Sequence, residues 1–172
     1  MDTVISSNSI SRLLQHSNSR WVTRERPKID RIACPWLIRR FIDPDAEFLY
    51  VPSAEVLAVA KAKQAIPYDV PGVQFSHRGE LCSFDAFVAD FAIDNPALAD
   101  LALIVRGADT GKPGLTPQSP GLLAISQGLS LNYPDDHAML GQGMVVYDAF
   151  YAWIRSTRAK VDDAGLFAKK TS

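Results

Sequence analysis

Three histidines occur in the 172 residues, and His77 has the richest surroundings for metal chemistry. Glu80 follows it closely, and Asp85 falls in the first turn of a helix predicted to start near Ser83. An imidazole nitrogen with carboxylate oxygens suits a divalent ion such as zinc, iron or manganese. A plainer reading also fits: a loop histidine, a solvated carboxylate and a helix-start aspartate. Asp135-Asp136-His137 is a second cluster. Consecutive helical residues diverge by about 100°, so at most one or two of these, Asp136 among them, could join ligands from elsewhere. The positive end of a helix explains the aspartates without a metal. Neither paired CxxC nor HExxH spacing occurs.

Thiol chemistry has one main candidate. Cys34 precedes Pro35 and lies near Arg31, and cationic neighbours and helix N-termini both lower a thiol pKa. Buried structural cysteines are the alternative, and Cys82 reads similarly. Arg24, Arg26, Lys28, Arg31, Arg39 and Arg40 make the N-terminal third locally basic. They could hold an oxyanion where a helix N-terminus adds free N–H groups, or pair with Glu25, Asp30, Asp43 and Asp45. Asp109 follows Arg106-Gly107-Ala108 at a predicted helix exit, where a capping role is the alternative to a functional one.

The elements that must place these residues are mostly helical. Ile29, Ile32, Ala33, Trp36, Leu37 and Phe41 form one apolar stripe, which Pro35 either starts late or kinks. Glu47–Val51 reads as a strand, and a helix follows from Ser53, its N-cap, to about Gln64. Val73–Ser76 reads as a second strand. The next helix has Ser83 as its cap and Phe84, Phe87, Val88 and Phe91 as its buried face. Asn95-Pro96 opens another, with Gly107 as C-cap. After a loop over Asp109–Gly121, one helix runs from Ser119-Pro120 through Leu129. The last starts at Pro134-Asp135 and runs to about Arg158. The fold class is α+β, mainly α-helical, with five to six helices and a small sheet.

Composition bounds the rest. With 47% hydrophobic and 22% charged residues, the chain reads as one globular domain. Met1–Arg20 is polar and reads as a disordered arm, and residues 21–172 as a single domain. A net charge of −1 does not advertise nucleic-acid binding. No apolar run approaches the roughly 20 residues that span a bilayer, so membrane insertion is not expected. Two cysteines and no recognisable export signal point to the cytoplasm. No Rossmann glycine fingerprint is present, so no nucleotide cofactor is expected.

Trp21-Val22-Thr23-Arg24-Glu25-Arg26-Pro27 and Asp30-Arg31-Ile32-Ala33-Cys34-Pro35-Trp36-Leu37-Ile38-Arg39-Arg40-Phe41-Ile42-Asp43-Pro44 closely resemble the C-terminal domain of the chromate-resistance protein family ChrB. The resemblance continues through His77-Arg78-Gly79, Cys82-Ser83-Phe84-Asp85, Ile104-Val105-Arg106-Gly107-Ala108-Asp109 and Tyr147-Asp148-Ala149. It implies a bacterial role in chromate resistance, with chromate or another small oxyanion as ligand and a regulator or efflux transporter as partner. Full-length relatives carry a further N-terminal region tied to chromate-responsive transcription. Only about 20 polar residues precede the shared domain here, too few for a DNA-binding module, so direct nucleic-acid contact is not expected. His77, Asp85, Asp109 and Asp30 lie inside the resembling motifs, which favours a composite metal site with Glu80 and Asp136 as outer additions. The rivals are a metal- or thiol-dependent enzyme, such as a chromate reductase using Cys34, and a regulatory interaction module.

Overall fold

The computed structural model describes residues 18–170; His16 and most of the expected arm lie outside them. Arg20, counted with the arm on sequence grounds, opens strand β1 (Arg20–Arg24). β1 leads into helix α1 (Asp30–Phe41), which returns the chain to strand β2 (Glu47–Val51). A 3-10 turn at Ser53–Glu55 and helix α2 (Val56–Lys63) then lead to the short strand β3 (Ile66–Pro67). Four helices complete the described chain: α3 (Ser83–Asp90), α4 (Pro96–Asp109), α5 (Ser119–Asn132) and α6 (Asp136–Lys170). A further 3-10 turn, Pro113–Leu115, lies between α4 and α5.

The sheet is parallel, in the order β2-β1-β3, with Trp21 paired to Phe48 on one side and Ile66 on the other. Successive strand residues point to opposite faces. Trp21 accordingly enters the main core, formed with α1, α3, α4 and α6, whereas Val22 packs in a smaller cluster with Val56 and Ala60 of α2. Helices therefore cover both faces of a sheet in which the chain steps from β1 to β2 on one side and then crosses back over β1 to β3 on the other. In open parallel sheets, that reversal leaves a crevice at the carboxyl ends of the strands, where ligands bind.

Several local expectations change. Val73–Ser76 forms no strand; Phe75 makes only an isolated bridge with Tyr68, and the third strand is Ile66–Pro67. Pro52 rather than Ser53 occupies the N-cap ahead of the 3-10 turn. Cys82 is the N-cap of α3, because Asp85 reaches back to the Cys82 amide at 3.0 Å while the Ser83 hydroxyl is committed to Asp69. Gly107 lies inside α4 instead of capping it. A Cβ there would stand 2.2 Å from Ser119 Oγ, so the glycine permits the approach of α5. Helix α6 extends to Lys170, beyond the expected end near Arg158.

Candidate functional site

Pro35 lies inside α1 and has no N–H to give the carbonyl four residues earlier. That carbonyl, on Arg31, instead accepts from the Tyr50 hydroxyl at 3.0 Å, with the Tyr68 hydroxyl 3.5 Å away. Just upstream, Ile29 has φ 39°, an unusual backbone for a β-branched residue. Its carbonyl accepts from Tyr147 Oη at 2.9 Å, and its amide donates to Ser126 Oγ at 3.3 Å. Such strain persists where surrounding contacts over-determine it, and here it delivers Asp30 to the first position of α1.

Asp30 projects into the crevice beyond β1, and Asp69, two residues past β3, meets it there. Asp30 Oδ2 accepts the Ser83 amide at 2.6 Å and Oδ1 the Phe84 amide at 3.3 Å, so this carboxylate sits on the positive end of α3. Asp69 accepts the Ser83 hydroxyl at 2.8 Å and Arg24 Nη2 at 2.8 Å, with Arg31 Nε at 3.5 Å. His77 supplies the imidazole: Nε2 stands 2.9 Å from Asp109 Oδ2 and 3.5 Å from both Asp30 Oδ2 and Asp69 Oδ1. Asp109 also receives the backbone amide of Asp30. Asp30 is 1% exposed, Asp69 7% and Asp109 17%, whereas the His77 side chain is 41% exposed. The cluster is buried on its acidic side and open at the histidine.

The electrostatics follow from this crowding. Hydrogen bonds to Asp30 and Asp69 push His77 up to about 10, against the desolvation that would lower it. Burial pushes Asp109 up to about 7, and the charges of Asp30 and Asp69 add to the rise. Burial also raises Asp30, although its hydrogen bond with His77 opposes the shift. Asp69 goes the other way: burial would raise it, but hydrogen bonds from His77, Ser83 and Arg24 hold it below the ordinary carboxylate range.

Donor spacing bears on what such a cluster can hold. Ligand atoms about 2.1 Å from one metal lie about 3.0–3.4 Å apart in octahedral or tetrahedral arrangements. The three carboxylate oxygens lie 2.9 to 3.5 Å from Nε2, close to that spacing. One ligand atom each from Asp30, Asp69 and His77 falls within 4.8 Å of the others.

Of the sequence-predicted residues, His77, Asp30 and Asp109 come together, with Arg31 at their edge. Asp85 is occupied elsewhere by a two-pronged contact from Arg106 at 2.9 and 2.6 Å. Glu80 is paired with Lys112 at 2.6 Å on the surface. Asp136 accepts the Arg26 amide at 3.1 Å, and His137 packs against the Tyr50 ring at 5.6 Å. The Cys34 thiol is fully buried, and burial pushes its pKa well up, opposite to the direction expected of a reactive thiolate. The basic cluster is dispersed: Arg26 meets the end of α5, Arg39 the Ala46 carbonyl and Arg40 Asp148. Only Arg24 and Arg31 of these arginines reach Asp69. A separate groove of about 270 Å³, lined by Leu103, Leu115 and Trp153 among others, contains none of the four cluster residues.

Asp69 is the residue that sequence reasoning missed. It lies in a segment that carries no catalytic motif, and the available signal was a turn between Pro67 and Pro71-Gly72. Its φ of 51° confirms the tight turn that aims its carboxylate back at the sheet edge.

Residues 21–154 match the family described as ChrB, C-terminal domain. The chain is also similar to Protein ChrB of Cupriavidus metallidurans (strain ATCC 43123 / DSM 2839 / NBRC 102507 / CH34), 33% identical over 147 residues. That alignment covers 85% of this chain and 44% of the relative, so the chain spans less than half of that protein's length. No solved structure matches the chain.

Proposed function

Since the chain belongs to the ChrB C-terminal domain family, we propose that it serves chromate resistance in the cytoplasm by holding a divalent metal ion on Asp30, Asp69 and His77, with Asp109 beside the imidazole. One observation carries this reading: His77 Nε2 lies within 3.5 Å of carboxylates from three separate segments, at the carboxyl edge of a parallel sheet. Zinc, iron and manganese all accept such a nitrogen-and-oxygen set. The exposed side of His77 leaves coordination positions open to solvent or an incoming ligand. Arg24 and Arg31 beside Asp69 would attract an oxyanion such as chromate to that side. Two free buried thiols, in place of a disulfide, support the cytoplasmic setting.

A ligand that binds only the folded state must stabilise it. Added Mn²⁺ or Zn²⁺ is expected to raise the melting temperature of the wild type and leave that of His77→Ala unchanged. Equal behaviour of the two proteins would refute the site.

A further inference from the structure

We infer that Tyr50 is a positioning residue for this site: its hydroxyl replaces the helix donor that Pro35 deletes and thereby fixes the first turn of α1, from which Asp30 and Arg31 project. The inference rests on the metal-binding reading for its purpose, but on local geometry for its content. In an ordinary helix the residue at position 35 would donate to the Arg31 carbonyl. Pro35 cannot, and an unpartnered backbone carbonyl is costly. Tyr50, from β2, makes the missing bond at 3.0 Å. Tyr68, next to Asp69 in sequence, stands 3.5 Å from the same oxygen and also bonds to the Tyr50 hydroxyl. One carbonyl therefore ties together the segments that carry Asp30 and Asp69.

The Asp135-Asp136-His137 cluster finds its place in the same arrangement. The His137 ring packs edge-on against Tyr50 at 5.6 Å, and Asp136 accepts the Arg26 amide at 3.1 Å, close after β1. The start of α6 thus braces the tyrosine from behind. Arg31 completes the coupling, because its guanidinium bonds the Glu25 carbonyl at 2.9 Å and faces Asp69 at 3.5 Å. A shift of the first turn of α1 would move Asp30 at its start and Arg31 together.

The test uses the full chain as wild type, Tyr50→Phe, Pro35→Ala and the double variant. Phenylalanine keeps the ring and removes only the hydroxyl; alanine at position 35 restores the helix amide. Mn²⁺ affinity is measured by calorimetry. The Ser83 and Phe84 amide resonances, whose donors bond Asp30, are followed by NMR in metal-free protein. Tyr50→Phe is expected to weaken Mn²⁺ binding about tenfold, the scale of losing a group that orients a metal ligand. It should also shift both amide resonances. In the Pro35→Ala background, the same substitution should change affinity less than about twofold and leave the resonances nearly in place, since Arg31 then has its helix partner.

A merely structural tyrosine would lower the melting temperature equally in both backgrounds and leave both amide resonances alone, which would overturn the inference. Equal losses of affinity with and without Pro35 would overturn it too. If wild type binds no Mn²⁺ or Zn²⁺ at all, the metal reading fails; the amide shifts and their reversal by Pro35→Ala still decide whether Tyr50 positions Asp30.

Discussion

His77 holds a proton in the metal-free protein because carboxylates surround it on three sides. Its folded pKa of about 10 lies above its ordinary 6.5. The stability it contributes is therefore fully present below about pH 6.5 and is lost as pH rises through about 10. Asp109, raised to about 7, acts in the same sense, with its contribution present below about pH 4 and lost as pH passes 7. In metal-free protein, the denaturant midpoint of wild type should fall between pH 7 and 10 more steeply than that of His77→Gln; parallel profiles would contradict the assignment. A metal needs the neutral imidazole, so metal affinity should rise with pH over the same window. Among the carboxylates, Asp69→Asn should abolish metal binding and Glu80→Gln should leave it intact, as titration calorimetry can check. His77, Asp30 and Asp109 were legible because they sit in motifs with recognisable neighbours. Asp69 was not, since a single acidic residue in a proline-flanked turn has no spacing to mark it, and its partners come from distant positions.

Arg26 carries the corresponding logic between elements. Its guanidinium bonds the Pro134 carbonyl at 2.6 Å and also the Ser130 carbonyl, at the negative end of α5, while its amide binds Asp136 at the start of α6. Arg26→Ala should destabilise the protein by about 1–3 kcal/mol, measured by denaturant unfolding, because the carbonyls of Pro134 and Ser130 lose their charge-assisted donor while the backbone bond to Asp136 is kept. Gly107→Ala should cost a similar amount, about 1–3 kcal/mol, by forcing α4 away from Ser119. Helix positions were readable from apolar periodicity, and α1 follows its predicted stripe through Pro35. The strands were harder to read. β2 occupies the expected Glu47–Val51, whereas β1 begins at Arg20, counted with the polar arm, and β3 is only Ile66–Pro67, too short for alternation to register. Gly107 near the end of an apolar stripe suggested a cap; only the packing of α5 against it reveals a close approach.

At the scale of the molecule, the sheet order β2-β1-β3 explains why the cluster lies where it does. The chain steps from β1 to β2 and then back across to β3, and the loops after β1 and β3 bring Asp30 and Asp69 to one crevice, where the turn before α3 supplies His77 and α4 ends beside it in Asp109. The mainly helical class was legible from periodicity, whereas strand order depends on long-range pairing that no local pattern encodes. No described helix is long and apolar enough to cross a membrane. The proposed metal site is formed by Asp30, Asp69 and His77, with Asp109 beside the imidazole. Its most direct test is elemental analysis of tag-free protein dialysed after exposure to Mn²⁺ or Zn²⁺, with wild type and His77→Ala in parallel. Near-stoichiometric metal in wild type and almost none in the variant is the predicted result. No retained metal in either protein, or equal retention in both, would contradict the account.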